Sequence, residues 1–249
     1  MGHSQENMDV VFLGTGNAFA SGGRNNMAIF LRGTSLGVLL DCGPTTLTAL
    51  KRAALAPSDV DIVLLSHHHG DHFGGVPLLL CHERYEEPRE KPLRVYGPPG
   101  TSELIARTTE LFFPGITPLP FLFEVTDLAP DEEHRSSGLE LRPFEVDHYS
   151  NGVAFGYRVR MDERTVVFSG DTGWTEALVR ESDGADLFIC ECSSFDEKIE
   201  RHLSHRELAL HEGRIRARKT VLVHPGEDVI ARASELRFPL ATDGMRWTL

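Results

Sequence analysis

Residues 66–72 read SHHHGDH, four imidazoles and a carboxylate in seven positions, directly after the apolar run DIVLL. Few stretches constrain a chain as hard, because so many metal-binding groups share one backbone bend. The useful pattern inside it is H-x-H-x-D-H. His67 and His69, two apart, point to one side of an extended turn and can share a metal ion. Asp71 and His72 come one short bend later and can serve a second ion, with Gly70 expected to supply the backbone freedom of that bend. Imidazoles with a few carboxylates suit zinc, with manganese or iron as the alternatives. His68 should point away from its neighbours and is left out of the chemistry. An internal histidine tag would explain neither the aspartate nor the histidines far along the chain.

Those distant residues also stand just past apolar, strand-like runs. His148 follows LELRPFEVD, Asp171 follows TVVFSG, and His224 follows TVLV. Strand ends project loops from a rigid sheet edge, which is where α/β proteins build sites. His202 has a different setting. Ser204-His205-Arg206-Glu207 fits the S-x-x-E capping box, so Ser204 is expected to cap the helix that follows, with His202 held on the loop before it. His82, His134, His205 and His211 have ordinary settings, and His3 belongs to the N-terminal tail. The segment GTGNAF begins like a dinucleotide-binding G-x-G-x-x-G, but Phe19 occupies the third glycine position and no helix-period run follows. A structural turn near the site is expected there instead.

Strand-like and helix-like runs alternate throughout. DVVFLG, MAIFLRG, LGVLLDCG, DIVLLS, LRVYG, LFEVTDL, LELRPFEVDH, VAFGYRVRM, RTVVFSG, ADLFICECS, TVLV and DGMRWTL read as strands, with MAIFLRG and LGVLLDCG as a hairpin. PTTLTALKRAAL, GVPLLLCHERYEE, TSELIARTTELFF, WTEALVRES, SHRELALHEGRIRAR and GEDVIARASELRF read as helices, the third capped by Ser102 or Thr101. No linker-like stretch divides the chain, so one α/β domain is expected over residues 9–249, with 1–8 as a tail. Two sheets with outer helices would suit it.

At 249 residues the chain can bury a sizeable core without staples. A net charge of −12 argues against a protein that lives on long phosphate backbones. The basic run RIRARK at residues 214–219 fits the solvated face and end of a helix. Four cysteines form no disulfide framework; Cys190 and Cys192 share one strand face and are expected as buried free thiols. A reducing cytoplasm suits them. No apolar run is long enough to span a membrane, and the first residues lack the apolar stretch of a signal peptide.

Taken together, H-x-H-x-D-H and the later His, Asp and His at strand ends resemble the metallo-β-lactamase-fold hydrolases. FLGTGNAF…RNN, LLDCG, YGPPG, FSGDT and DGMRWTL sit where the ribonuclease Z-like branch has similar segments, so the resemblance runs nearly the whole chain. It implies a four-layer αββα sandwich in a single domain. It implies two divalent ions, zinc first: one on His67, His69 and His148, the other on Asp71, His72 and His224, with Asp171 bridging them. HLS at residues 202–204 matches the branch's His-x-Thr/Ser motif, which implies that His202 stabilises the transition state or protonates the leaving oxygen. Asp71 would also orient the nucleophile, a metal-bridging hydroxide.

The resemblance bears on substrate too. Members that process transfer RNA insert a long protruding arm between the positions of His148 and Asp171, and this chain has only a short interval there. It looks more like compact members such as the cyclic phosphodiesterase of phosphonate breakdown. A phosphodiesterase on small or short nucleotide-type substrates is expected, with a lactonase or other ester hydrolase as the alternative. A non-catalytic zinc-binding protein ranks behind both. Dimers are common in the branch, although no residue here marks one.

Overall fold

The computed structural model describes residues 7–136, 138–150 and 152–249. Strands β1 (Asp9–Gly14), β2 (Ala28–Arg32), β3 (Gly37–Leu40), β4 (Ile62–Leu64), β5 (Leu93–Gly97) and β6 (Phe123–Asp127) form one sheet in that order. Strands β7 (His134–Ser136), β8 (Leu139–Val146), β9 (Ala154–Met161), β10 (Arg164–Phe168), β11 (Leu187–Glu191) and β12 (Thr220–Val223) form a second, and β13 (Arg246–Thr248) returns to pair with β1 in the first. Helices α1 (Thr46–Arg52), α2 (Gly70–Phe73), α3 (Val76–Tyr85) and α4 (Thr101–Phe112) go with the first sheet. Helices α5 (Glu176–Ser182), α6 (His205–His211) and α7 (Glu227–Ala231) go with the second.

The period-two alternation of the strands explains the layering. Val38 and Leu40 of β3, Ile62 and Leu64 of β4, and Val166 and Phe168 of β10 face the interior between the sheets. Leu39 and Val63 face the other way, onto Leu50, Leu79, Leu80 and Ile105 of α1, α3 and α4. Val167 and Phe188 likewise turn outward onto Leu178, Leu208 and Val229 of α5, α6 and α7. Helix, sheet, sheet and helix therefore stack in four layers, the expected αββα sandwich. Cys190 and Cys192 are free and buried under those outer helices. Among the described residues no helix is long and apolar enough to cross a membrane.

Strand direction positions the site. β3 and β4 pair in parallel, as do β10, β11 and β12, while β8 and β10 each run antiparallel to β9 between them. The C-terminal ends of β3, β4, β8, β10, β11 and β12 consequently share one edge of the sandwich. Two bonds clasp the sheets there: the Phe155 amide donates to the Ser66 carbonyl at 2.8 Å, and the Tyr157 hydroxyl to the Leu65 carbonyl at 2.7 Å.

Three details depart from expectation. Met8, placed in the tail by the sequence, is fully buried between the sheets, and its carbonyl accepts the Leu249 amide at 3.0 Å; His3 lies outside the described residues. α6 stops at His211, because Gly213 sits in a single tight turn and the chain leaves it extended at Ile215, before β12 begins at Thr220. The RIRARK run is thus a surface strap beyond the helix, with Arg214 paired to Glu176 and Arg218 to Asp186. Finally, neither Thr101 nor Ser102 caps α4 with its side chain. The Asp127 carboxylate, from the end of β6, accepts the Gly100 amide at 2.7 Å, the Ser102 amide at 2.8 Å and the Ser102 hydroxyl at 2.6 Å. A cap from a neighbouring strand leaves no local signature. Asp127→Ala should cost about 1 kcal/mol of stability, the usual worth of a capping carboxylate, and Asp127→Asn less; urea unfolding monitored by circular dichroism measures both.

Candidate dimetal centre

All seven side chains expected as ligands meet at the shared strand edge. His67 follows β4, and His69 ends the extended segment that starts α2. Asp71 and His72 lie in the first turn of α2. His148 follows β8, Asp171 follows β10, and His224 follows β12. His67 Nε2 lies 3.0 Å from His69 Nδ1, which lies 3.2 Å from His148 Nε2. His72 Nε2 is 3.2 Å from Asp71 Oδ2, and His224 Nε2 is 3.6 Å from the same oxygen. Asp171 Oδ2 stands between the two groups, 3.4 Å from His72, 3.3 Å from His224, 3.8 Å from His67 and 4.0 Å from His148.

Gly70 does not act as expected. Its φ is not in the left-handed region, and a Cβ there would meet nothing within 4 Å. The bend is made by the start of α2, and the glycine lines the open cleft. The glycine that matters is Gly170, with φ +58, where a Cβ would lie 2.6 Å from the Phe155 carbonyl and 2.9 Å from Ser66 Cβ. It lets the chain turn between the sheets so that Asp171 faces the cluster. His68, as expected, turns away, with its Nε2 2.8 Å from the Thr101 hydroxyl at the start of α4.

The donor set fits divalent cations on its hydrogen-bond pattern. His72 Nδ1 lies 2.7 Å from the buried Asp41 carboxylate. The Ser66 hydroxyl donates to Asp41 at 2.8 Å and is therefore left to accept from His67 Nδ1 at 3.0 Å. The Ser193 hydroxyl donates to Glu191 at 2.7 Å and so accepts from His224 Nδ1 at 3.0 Å. His148 Nδ1 donates to the Arg201 carbonyl at 3.1 Å. Each ring thus spends its proton outward and turns a lone pair of Nε2 into the cluster, the arrangement of a ligating imidazole. Nε2 of His72 and of His224 are buried without any hydrogen-bond partner, which would be costly unless something electropositive sits between them.

Electrostatics point the same way. Burial holds the His67 and His148 rings below their ordinary pKa, so they favour the neutral form. Burial also disfavours charge on His72, yet Asp171, Asp41 and Asp71 around it raise its pKa well above the ordinary value. Three carboxylates at that point call for positive charge, which a metal ion supplies as well as a proton.

Beside the cluster, His202 Nδ1 lies 2.8 Å from Glu191 Oε1. Glu191 is buried at the end of β11 and also accepts the Thr172 amide at 2.7 Å. Burial lowers the His202 pKa, but the hydrogen bond and charge of Glu191 outweigh it and raise the ring to about 9. The expected capping box is half present: Ser204 accepts the Glu207 amide at 3.2 Å. His202, Asp71, Asp171 and His224 line a cleft of about 760 Å³ with Phe19 and Ile199.

A family profile described as "Beta-lactamase superfamily domain" matches residues 37–225, most of the chain and all seven of these side chains. The chain belongs to the β-lactamase superfamily. Within that superfamily it is similar to the ribonuclease Z of Methanosarcina acetivorans, at 28% identity over 86% of each chain. The human zinc phosphodiesterase ELAC protein 1 shares 39% identity over 49% of this chain and 34% of its own length. The crystal structure of human tRNase Z, short form (ELAC1), superposes with a TM-score of 0.81 at 28% identity, over 96% of this chain and 98% of that one. A diphosphatase from the PhnP family superposes at 0.78 with 16% identity, over 96% and 97%, a likeness of fold. This superfamily member, like those homologues, is a metal-dependent hydrolase, and its His and Asp cluster suits divalent ions.

Sequence reasoning missed Asp41 and Glu191, the buried carboxylates that orient His72 and His202. Both carry the signal used for the others, an ionisable residue at the end of an apolar strand. Asp41→Asn would keep the shape but turn an amide toward His72 Nδ1, reversing the ring's tautomer. It should weaken zinc binding by about 10–100-fold with folding retained, as measured by chelator competition alongside circular dichroism.

Proposed function

We propose that the protein is a phosphodiesterase acting on small or short nucleotide-type substrates with two divalent ions, zinc first. His67, His69 and His148 would hold one, Asp71, His72 and His224 the other, with Asp171 shared. The observation that carries this reading is the Glu191–His202 pair set beside the seven-residue cluster on an open cleft. A site that only stored zinc would have no use for a proton donor there. Ions bound at these residues would supply a nucleophile near neutral pH and a clamp for phosphoryl oxygens. His202 delivers a proton to the departing oxygen, Glu191 keeps it protonated and oriented, and Asp71, on the cleft floor, aligns the attacking water.

Two observations support a compact substrate. β9 and β10 are joined by Asp162 and Glu163 alone, with φ +48 and +57, a two-residue hairpin turn with no arm inserted at that point. The comparison with the Methanosarcina acetivorans ribonuclease Z spans 268 positions, more than the 249 residues of this chain, so that relative carries residues this one lacks.

Protein loaded with zinc or manganese should hydrolyse bis(p-nitrophenyl) phosphate and lose that activity to a chelator. His202→Ala should lower kcat by about 10²–10⁴-fold at unchanged metal content. Because the pKa of His202 is raised to about 9, the acid form persists through neutral pH and is lost above. The alkaline limb of the kcat profile should therefore vanish in His202→Ala and move to lower pH in Glu191→Gln. No metal-dependent turnover of the diester would sink this assignment, and turnover of lactones in its place would make the protein an ester hydrolase.

A further inference from the structure

Phe19 is the most exposed large apolar side chain among those described, at 88%, yet its loop is tightly built. The buried Asn17 side chain accepts the Phe19 amide at 3.1 Å and the Ser21 amide at 3.2 Å. It donates to the Ser21 hydroxyl and to the Pro225 carbonyl, each at 3.1 Å. The Gly22 amide donates to Glu227 at 2.8 Å. The loop after β1 is thus fastened to the segment that begins at the ligand-set residue His224, whose own amide donates to the Thr15 carbonyl at 2.8 Å. A ring carried on a loop fastened in this way is presented, not frayed. Ile199, 42% exposed, lines the same cleft, and its carbonyl accepts the His202 amide at 3.2 Å. Among the described residues no lysine or arginine lines this cleft, whereas Glu197, Glu227 and Asp228 do.

We propose that Phe19, with Ile199, forms a ring-binding subsite next to the metal cluster, so that the substrate is a single-phosphate ester carrying a planar group of nucleobase size. This rests on the phosphodiesterase reading and narrows it. The phosphate has the cluster and His202 to bind, while the charged side chains on the rest of the cleft wall, Glu197, Glu227 and Asp228, would repel a second phosphate. A base stacks on an aromatic face without regard to its sequence identity, and its amino groups suit the carboxylates nearby.

The test needs no turnover. Zinc-loaded protein is titrated with adenosine 5′-monophosphate and with ribose 5-phosphate, which share the phosphate and differ by the base. Wild type should bind the nucleotide roughly tenfold more tightly, about the worth of one base–aromatic stack. Phe19→Ala should lose most of that difference and Phe19→Trp keep it. In F19W the nucleotide should quench indole fluorescence beyond any change in wild type, and ribose 5-phosphate should not. Equal binding of the two ligands by wild type, an undiminished difference in Phe19→Ala, or no binding of the nucleotide would overturn the subsite. Absence of diester hydrolysis with the base preference intact would instead overturn the activity and leave the subsite standing.

Discussion

One buried carboxylate organises the functional edge of the sandwich. Asp171 is 3% exposed and faces imidazoles from both sheets: His67 and His72 from the first, His148 and His224 from the second. An ionised carboxylate in such a place is very costly unless hydrogen-bond donors or a cation offset it. The parallel course of the strands brings the four imidazoles around it, since β4, β8, β10 and β12 all deliver their C-terminal ends to the same seam. Gly170, with no Cβ to strike Phe155 or Ser66, lets that carboxylate sit between two sheets already clasped by the Phe155 amide and the Tyr157 hydroxyl.

Around this seam the backbone is strained at non-glycine positions, two of which place site residues directly. Asp41 has φ +56 and His224 φ +59, a left-handed conformation that costs on the order of 1–3 kcal/mol per residue. Tertiary bonds hold both in place: the Asp41 amide donates to the Leu64 carbonyl and the His224 amide to the Thr15 carbonyl, each at 2.8 Å. The strain serves geometry. It turns Asp41 back onto His72, and it turns His224 off the end of β12 toward Asp71 and Asp171.

Much of this could be read from the sequence because the fold places chemistry by a simple rule. An apolar strand that ends in His or Asp announced His67, His148, Asp171 and His224, and strand alternation separated the interior from the outer faces. Where reading failed, the cause was distance along the chain or too narrow a search. Asp127 caps α4 from a strand 25 residues on, and local capping patterns cannot see it. Asp41 and Glu191 satisfied the same strand-end rule but lie outside the ligand set that the resemblance implied. Gly70 was credited with a bend because glycine often makes one, although the start of α2 does so here. Phe19 read only as a failed glycine, since no sequence pattern says that a polar loop will be pinned by one buried asparagine.

The cleft divides its work between floor and wall. A cation held on the floor would lie where the carboxylates and the inward lone pairs face, and the charged side chains of the wall, Glu197, Glu227 and Asp228, are acidic. A chain with a net charge of −12 repels polyanions, which agrees with the single-phosphate ligand proposed above. Repulsion by surface charge reaches only about a Debye length, roughly 8–10 Å at physiological salt, and under that proposal it acts in the same direction as the acidic cleft wall. An extended basic track would reverse it. RIRARK is the one sequence run that suggested such a track, and Arg214 and Arg218 of that run are paired to Glu176 and Asp186 on the outer surface.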